Sequence, residues 1–296
     1  MAWLSVRRDD RVMDQRVSPT RPHAPEFKLN GIPSTLLIPL VARAFGDEIF
    51  PGFAVGDAHA AHLLAPLEVD VAPFLSDKAS VFGVLSRTRL FRQLASEFFD
   101  RYPQSLGVNL GCGLSNYFQW LDRGSNQWLD ADVPQVMKMR KRLLPAGGKR
   151  HRQATLDLTT PGWWQALGLP ERGSARPVLL ICEGVLMYLH AQEVERVLHE
   201  FGHNAPEGSE FLCDTLSWMV TGCAALHPSV RHTQAEFKWG PRHMRDFTAP
   251  HPRLVLRSEH PIMEAYDFST ALACASFRAL WGVPLYGAVR LGVSTG

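Results

Sequence analysis

A chain of 296 residues with 46% hydrophobic side chains can fill a core of its own, which excludes a disordered chain. A net charge of +2 leaves no basic stripe, so nucleic acid is not an expected partner. Five scattered cysteines with no Cys-x-x-Cys pair read as reduced, buried thiols of a cytoplasmic protein.

Residues 1 to about 33 are rich in Arg, Pro and Asp and lack an apolar period, which predicts a flexible arm. Arg7-Arg8-Asp9-Asp10 interrupts the N-terminus before a signal core could form. No apolar run reaches the roughly 20 residues that span a bilayer, so no membrane partner is expected. From Ser34 the pattern turns helical: Ser34 can cap a helix carrying Leu40, Val41, Ala44 and Phe45. A second helix is expected from Ala58 to Leu64 behind Asp57, with His59 and His62 on one face and too few ligands for a metal. A longer one is expected from Ser80 to Phe99, with Arg87 and Arg89 among its apolar residues. These helices, residues 34–103, are read as a cap on an α/β core over residues 104–296.

In that core, strands are expected over Ser105–Leu110, Gln127–Asp132, Gln153–Leu158, Pro177–Cys182 and Glu210–Asp214. Helices alternate with them over Leu114–Leu121, Pro134–Leu143 (closed by Pro145), Trp163–Leu167 and Gln192–Phe201. Such alternation predicts a mostly parallel sheet covered on both faces. Beyond Asp214 a helix is expected over Trp218–Leu226, a strand over Arg253–Ser258, a helix over Phe268–Trp281 and a last strand over Ala288–Val293.

The chemistry centres on Gly111-Cys112-Gly113. Two glycines at a strand-to-helix turn let a ligand approach the main chain, and the helix start suits an electronegative group. Asp132 follows about 20 residues later, the spacing at which an acid ending the second strand meets ribose hydroxyls. Asn116 stands where the dinucleotide fingerprint has its third glycine, which favours a cofactor without phosphates over a nicotinamide dinucleotide. Asp157-Leu158 and Glu183 then end the third and fourth strands, beside the expected cleft.

The segments Ser34–Ala44, Arg87-Thr88-Arg89-Leu90-Phe91, Val108–Leu114, Asp132-Val133-Pro134 and Glu183–Leu189 together resemble the leucine carboxyl methyltransferase family. The likeness is to its bacterial branch, similar to polyketide-biosynthesis O-methyltransferases, and runs from about Ser34 to Ser217. The resemblance implies a class I, Rossmann-like fold with a seven-stranded, mostly parallel sheet and S-adenosylmethionine as cofactor. It implies Arg87 at the methionine carboxylate, Gly111, Cys112 and Gly113 along the methionine part, Asp132 at the ribose and Asp157-Leu158 at the adenine. Glu183 would face the cofactor near the sulfonium, and Tyr188 would line the pocket of a small-molecule acceptor. Where the family reads Gly-Leu-Asp-Thr-Arg, this chain reads Gly113-Leu114-Ser115-Asn116-Tyr117, losing a charged pair.

The same cleft on its own would also suit a nicotinamide-dependent oxidoreductase, and the Ser115-Asn116 departure a binding module without turnover. His199-Glu200-Phe201-Gly202-His203 matches the H-E-x-x-H pattern of zinc hydrolases. Gly202, Asn204 and Pro206 read as the end of a helix, which would carry His203 off the helical face. The expectation is therefore no metal site, with the acceptor's reacting atom either a carboxylate or a hydroxyl.

Overall fold

The computed structural model describes residues 35–67, 69–144, 147–233 and 235–295. The expected arm over residues 1–33, the Ser34 cap and Pro145 lie outside the described residues. The chain enters on α1 (Leu37–Ile49), which buries Leu40, Val41 and Ala42. Two short helices follow, α2 (Ala60–Leu64), begun by the Asp57 carboxylate, and α3 (Ala72–Ser76), which the sequence reading missed. Then comes α4 (Lys78–Arg101), longer at both ends than expected; it starts early because Asp77 accepts the Ser80 amide and caps it.

Among the described residues seven strands follow: β1 (Leu106–Leu110), β2 (Gln127–Asp132), β3 (His151–Thr155), β4 (Val178–Cys182), β5 (Glu210–Leu216), β6 (Leu254–Pro261) and β7 (Tyr286–Val293). They form one sheet in the order β3-β2-β1-β4-β5-β7-β6. Strands β1 to β5 run parallel, and β7 lies antiparallel between β5 and β6. Leu106, Val108, Leu110, Val178, Leu180 and Cys182 pack on α7 (Trp163–Ala166) and α8 (Ala191–Asn204) through Trp163, Val197 and Phe201. Leu179 and Ile181 point to the opposite face and pack on Phe91, Leu94 and Phe98 of α4. Burial of both faces is why these strands read as unbroken apolar runs.

Chain order reverses at β1, which has β2 on one side and β4 on the other. A crevice at the carboxyl ends of strands is the usual ligand site at such a reversal. Between β1 and β2 lies α5 (Phe118–Leu121), shorter than the expected 114–121. The Ser115 hydroxyl donates to Cys112 O at 2.8 Å and accepts from the Asn109 amide at 3.0 Å, and these bonds hold the stretch as a turn. The helix α6 (Pro134–Leu143) is as expected. Strand β3 ends at Thr155, not Leu158, because Asp157 folds back to accept the Thr159 amide at 2.9 Å.

The expected helix over 218–226 does not form. Two single 3-10 turns stand there, separated by Gly222, whose amide pairs with Phe237 O at 2.8 Å. The segment after β5 is thus an irregular loop that returns to the sheet at β6. The helix α9 (Phe268–Trp281) matches the expectation. Cys112, Cys182, Cys213 and Cys274 are buried free thiols, and Cys223 is half-buried.

Candidate functional site

The glycine turn is held from below and from the side. Gly111 and Gly113 adopt left-handed backbone with φ of 63° and 51°. A Cβ on Gly111 would stand 2.4 Å from Val185 Cγ2, and one on Gly113 would stand 2.7 Å from Leu36 Cδ2. Asp132, at the end of β2, accepts the Gly113 amide at 2.8 Å and its neighbour's amide, from Val133, at 2.7 Å. Burial raises the Asp132 pKa, with those two amides opposing it.

Beneath the turn, Arg140 of α6 and Asp130 of β2 form an ion pair with both side chains 0% exposed. Arg140 donates to Gly113 O at 2.9 Å and to Ser115 O, so its guanidinium pins the backbone of the turn. Asp130 also takes Trp128 Nε1 at 2.9 Å and His151 Nε2 at 2.6 Å. Burial works against its charge, but Arg140 and His151 outweigh that and keep its pKa lowered.

A second network closes the crevice between β4 and β5. The helix α4 carries Arg87 into the interior, where it donates to Glu183 at 2.7 Å and to Asp214 at 2.6 Å. It also donates to the Tyr286 hydroxyl at 2.8 Å. Tyr117 donates to the other oxygen of Glu183. Burial and then the Glu183 charge push the Tyr117 pKa well up, and burial does the same to Tyr286. Asp214 Oδ1 accepts the Gly184 amide at 2.6 Å, which fixes the turn after β4. The departure at Ser115-Asn116-Tyr117 thus supplies two hydroxyls, one inside the glycine turn and one on Glu183.

A cavity of about 400 Å³ opens between these networks and the helices before β1. Arg87, Gly111, Cys112, Gly113, Glu183 and Tyr188 all line it. Cys112 does so beside its glycines, while its sulfur lies 3.9 Å from Met137 S. Tyr188 stacks on Phe237 with ring centroids 5.7 Å apart, and burial pushes its pKa up to about 12. Asp132, Asp157 and Leu158 are not among the lining residues. Asp132 stands directly behind Gly113, Leu158 is buried against the sheet, and Asp157 is exposed and engaged with Thr159. Asp214, Tyr286, Asp130 and Arg140 were missed by the sequence reading. The one local signal was a buried acid inside an apolar strand, at Asp130 and at Asp214.

The H-E-x-x-H segment corrects one expectation. The helix α8 continues to Asn204, so His199 and His203 do share a face, their rings 6.0 Å apart and parallel within 9°. Gly202 serves close packing, since a Cβ there would stand 2.6 Å from His251 Cβ. Arg253 then caps the helix by donating to Gly202 O at 2.9 Å and Ala205 O at 3.1 Å. Glu200 accepts the Gly162 amide at 2.7 Å and is committed to packing α7. Among the described residues, no group of three His, Cys, Asp or Glu is arranged to hold a metal.

A family model for leucine carboxyl methyltransferases matches residues 52–202. The chain is 28% identical over 240 residues to the tetracenomycin polyketide synthesis O-methyltransferase TcmP of Streptomyces glaucescens, covering 81% of this chain and 86% of that protein. It is 26% identical over 260 residues to the S-adenosyl-L-methionine-dependent methyltransferase dpfgK of Gibberella zeae, covering 80% and 85%. A solved structure from Thermobifida fusca, described as a candidate methyltransferase, superposes with a TM-score of 0.50 at 16% identity. It covers 88% of this chain and 95% of that one, a likeness of fold alone.

Proposed function

The chain belongs to the leucine carboxyl methyltransferase family and is an S-adenosylmethionine-dependent methyltransferase of the class I fold; from that premise we propose that it methylates an oxygen of a small, polyketide-like molecule. The observation that carries this reading is the cavity itself. It joins the bare glycine turn and the buried Arg87 to a compartment walled by Met187, Tyr188, Val230 and Phe237. An apolar compartment with two stacked rings suits a flat, largely apolar acceptor. The name of the Streptomyces relative supports the polyketide class.

The residues present fit the cofactor. Side chains at Gly111 or Gly113 would close the turn, and Arg87 supplies a fixed cation for a carboxylate. Asp132 retains lone pairs beyond its two amide bonds for sugar hydroxyls. Asp157 and Leu158 would complete the site on the β3 side. Bound there, S-adenosylmethionine supplies a methyl group on a positively charged sulfur. The chain's share is positioning and exclusion of water. Arg87, held by Glu183 and Asp214, cannot swing away, and Tyr117 keeps Glu183 facing it. We read the helices before β1, expected over residues 34–103, as the cap: α1 lines the cavity through Ile38, Pro39 and Arg43, and α4 through Arg87 while it also packs on the sheet. The buried thiols favour a reducing, cytoplasmic setting. Among the described residues no helix is long and apolar enough to cross a membrane.

Calorimetry with S-adenosylhomocysteine tests the site. Binding on the order of micromolar is expected, weakened about tenfold or more by Asp132→Ala. No heat with either form of the cofactor would overturn the assignment.

A further inference from the structure

The helix α9 is well closed at both ends. The Asp267 carboxylate accepts the Thr270 amide at 2.7 Å at its start, and Gly282, with φ of 70°, ends it. A helix this apolar ordinarily turns its hydrophobic stripe into a core. Here Cys274 is the one buried residue of the fourteen. Phe268 is 84% exposed, Leu280 73%, Leu272 59% and Trp281 41%. Among the described residues these are four of the six large hydrophobic side chains left exposed, so the apolar surface is gathered on one helix. Phe268, Leu272, Ala275 and Ala279 follow one another at three- and four-residue spacing and run down one side of it.

At about 150–250 Å² for a whole aromatic side chain and less for a leucine, the four large residues present roughly 500 Å². The alanines and serines between them bring the face towards the roughly 800 Å² that each partner buries in a standard interface. An apolar patch of this size marks a contact surface, and its charge narrows the partner. Between Phe268 and Trp281 the sequence holds one charged residue, Arg278, which pairs with Glu259 of β6 at 3.1 Å. The stripe therefore has no charge with which to complement a charged partner. It also lacks the Lys and Arg that rim a membrane-lying helix, and Glu264 and Asp267 just before it would repel anionic lipid. The arm over residues 1–33 has no apolar period to match the stripe. Strand β6 is an edge of the sheet, but its register shifts between Leu256 and Ser258, which blunts it against strand pairing. The surface that matches α9 in length, neutrality and apolar spacing is α9 itself.

We propose that α9 joins two copies of this chain, packed antiparallel about a two-fold axis that passes by Ala275 and Ser276. A two-fold contact needs a surface that complements itself. In that arrangement Leu272 of each copy falls opposite Ala279 of the other, large against small. The small side chains at the axis let the two backbones approach closely, and Phe268 reaches the far end of the second helix at Leu280. The helix is strung between Met263 and Tyr286, which both line the cavity, so the contact is joined directly to the wall of the site.

Analytical ultracentrifugation of the full chain at about 50 μM should give twice the 33.1 kDa of one chain. Leu272→Asp and Leu280→Asp put a charge on the stripe, and each should weaken the pairing at least about 100-fold while S-adenosylhomocysteine affinity holds. A short bismaleimide should join two copies of Ala275→Cys far more readily than two copies of the unsubstituted chain, and Leu272→Asp added to Ala275→Cys should abolish the difference. A single-chain mass at that concentration, a dimer that survives both aspartates, or Ala275→Cys that cross-links no better than the unsubstituted chain would overturn the proposal. A monomer whose melting temperature falls with Leu272→Asp would assign the face to a segment of the same chain. A monomer that sediments with phosphatidylserine vesicles would assign it to lipid, and either result overturns the pairing of copies.

Discussion

Replacing Arg140 by Met probes the support beneath the glycine turn. The substitution keeps the apolar stem and removes a guanidinium that is fully buried against Asp130. It strands the Asp130 carboxylate with only Trp128 and His151, and it takes a donor from Gly113 O and Ser115 O. Breaking a buried ion pair from one side costs about 3–5 kcal/mol. Since His151 stays hydrogen-bonded to Asp130, the lower end applies, about 3 kcal/mol. At about 2–4 °C per kcal/mol for a chain of this size, the melting point should fall by about 6–12 °C. Differential scanning calorimetry and urea titration measure it. The double variant Asp130→Leu, Arg140→Met removes both charges and should regain part of that stability, the rest being lost because Trp128 N–H, His151 and the carbonyls of Gly113 and Ser115 are left without these partners. The double variant should still bind S-adenosylhomocysteine poorly, because nothing then pins the carbonyls of the turn. A single-variant loss below about 1 kcal/mol, or a double variant no more stable than the single, would refute the bracing role.

Gly111→Ala forces a side chain into left-handed backbone against Val185 and should cost about 2–4 kcal/mol, read by urea unfolding, with cofactor affinity falling alongside. Tyr117→Phe removes a hydrogen bond to the Glu183 carboxylate and should cost about 1.5–3 kcal/mol, read the same way, with α5 otherwise unchanged. The folded-state pKa of His227 lies below its unfolded value near 6.5. Its contribution to stability is therefore complete above about pH 6.5 and is lost as pH falls through the folded pKa. An NMR titration should show the His227 ring protonating below the unfolded value, and a ring titrating at or above about 6.5 would contradict the sign.

Much of the core was legible because its signals are local. An apolar run bounded by turn residues marks a strand wherever that strand lies, so β2, α6 and α9 fall where the sequence places them. Competition by side chains defeated the reading in particular places. Ser115 bonds shortened α5, Asp157 ended β3 early, and Gly222 divided the stretch read as a helix after β5. Gly202 misled for another reason. It sits inside α8 because His251 presses on it, a neighbour far along the chain.

By itself, the order of residues determined the alternation of strands and helices, the bare turn at Gly111-Cys112-Gly113 and the acids after β2 and β4, since each depends only on backbone period and near neighbours. Tertiary structure alone decided that Arg87 lies between Glu183 and Asp214, that Arg140 holds up the turn from behind, and that a loop with no regular structure brings His227 to Asp77. Those partners stand far apart in the chain. What joins them is the placing of β1 between β2 and β4 and of β7 beside β5, and a periodicity of two or of 3.6 residues carries no information about which strand will lie next to which.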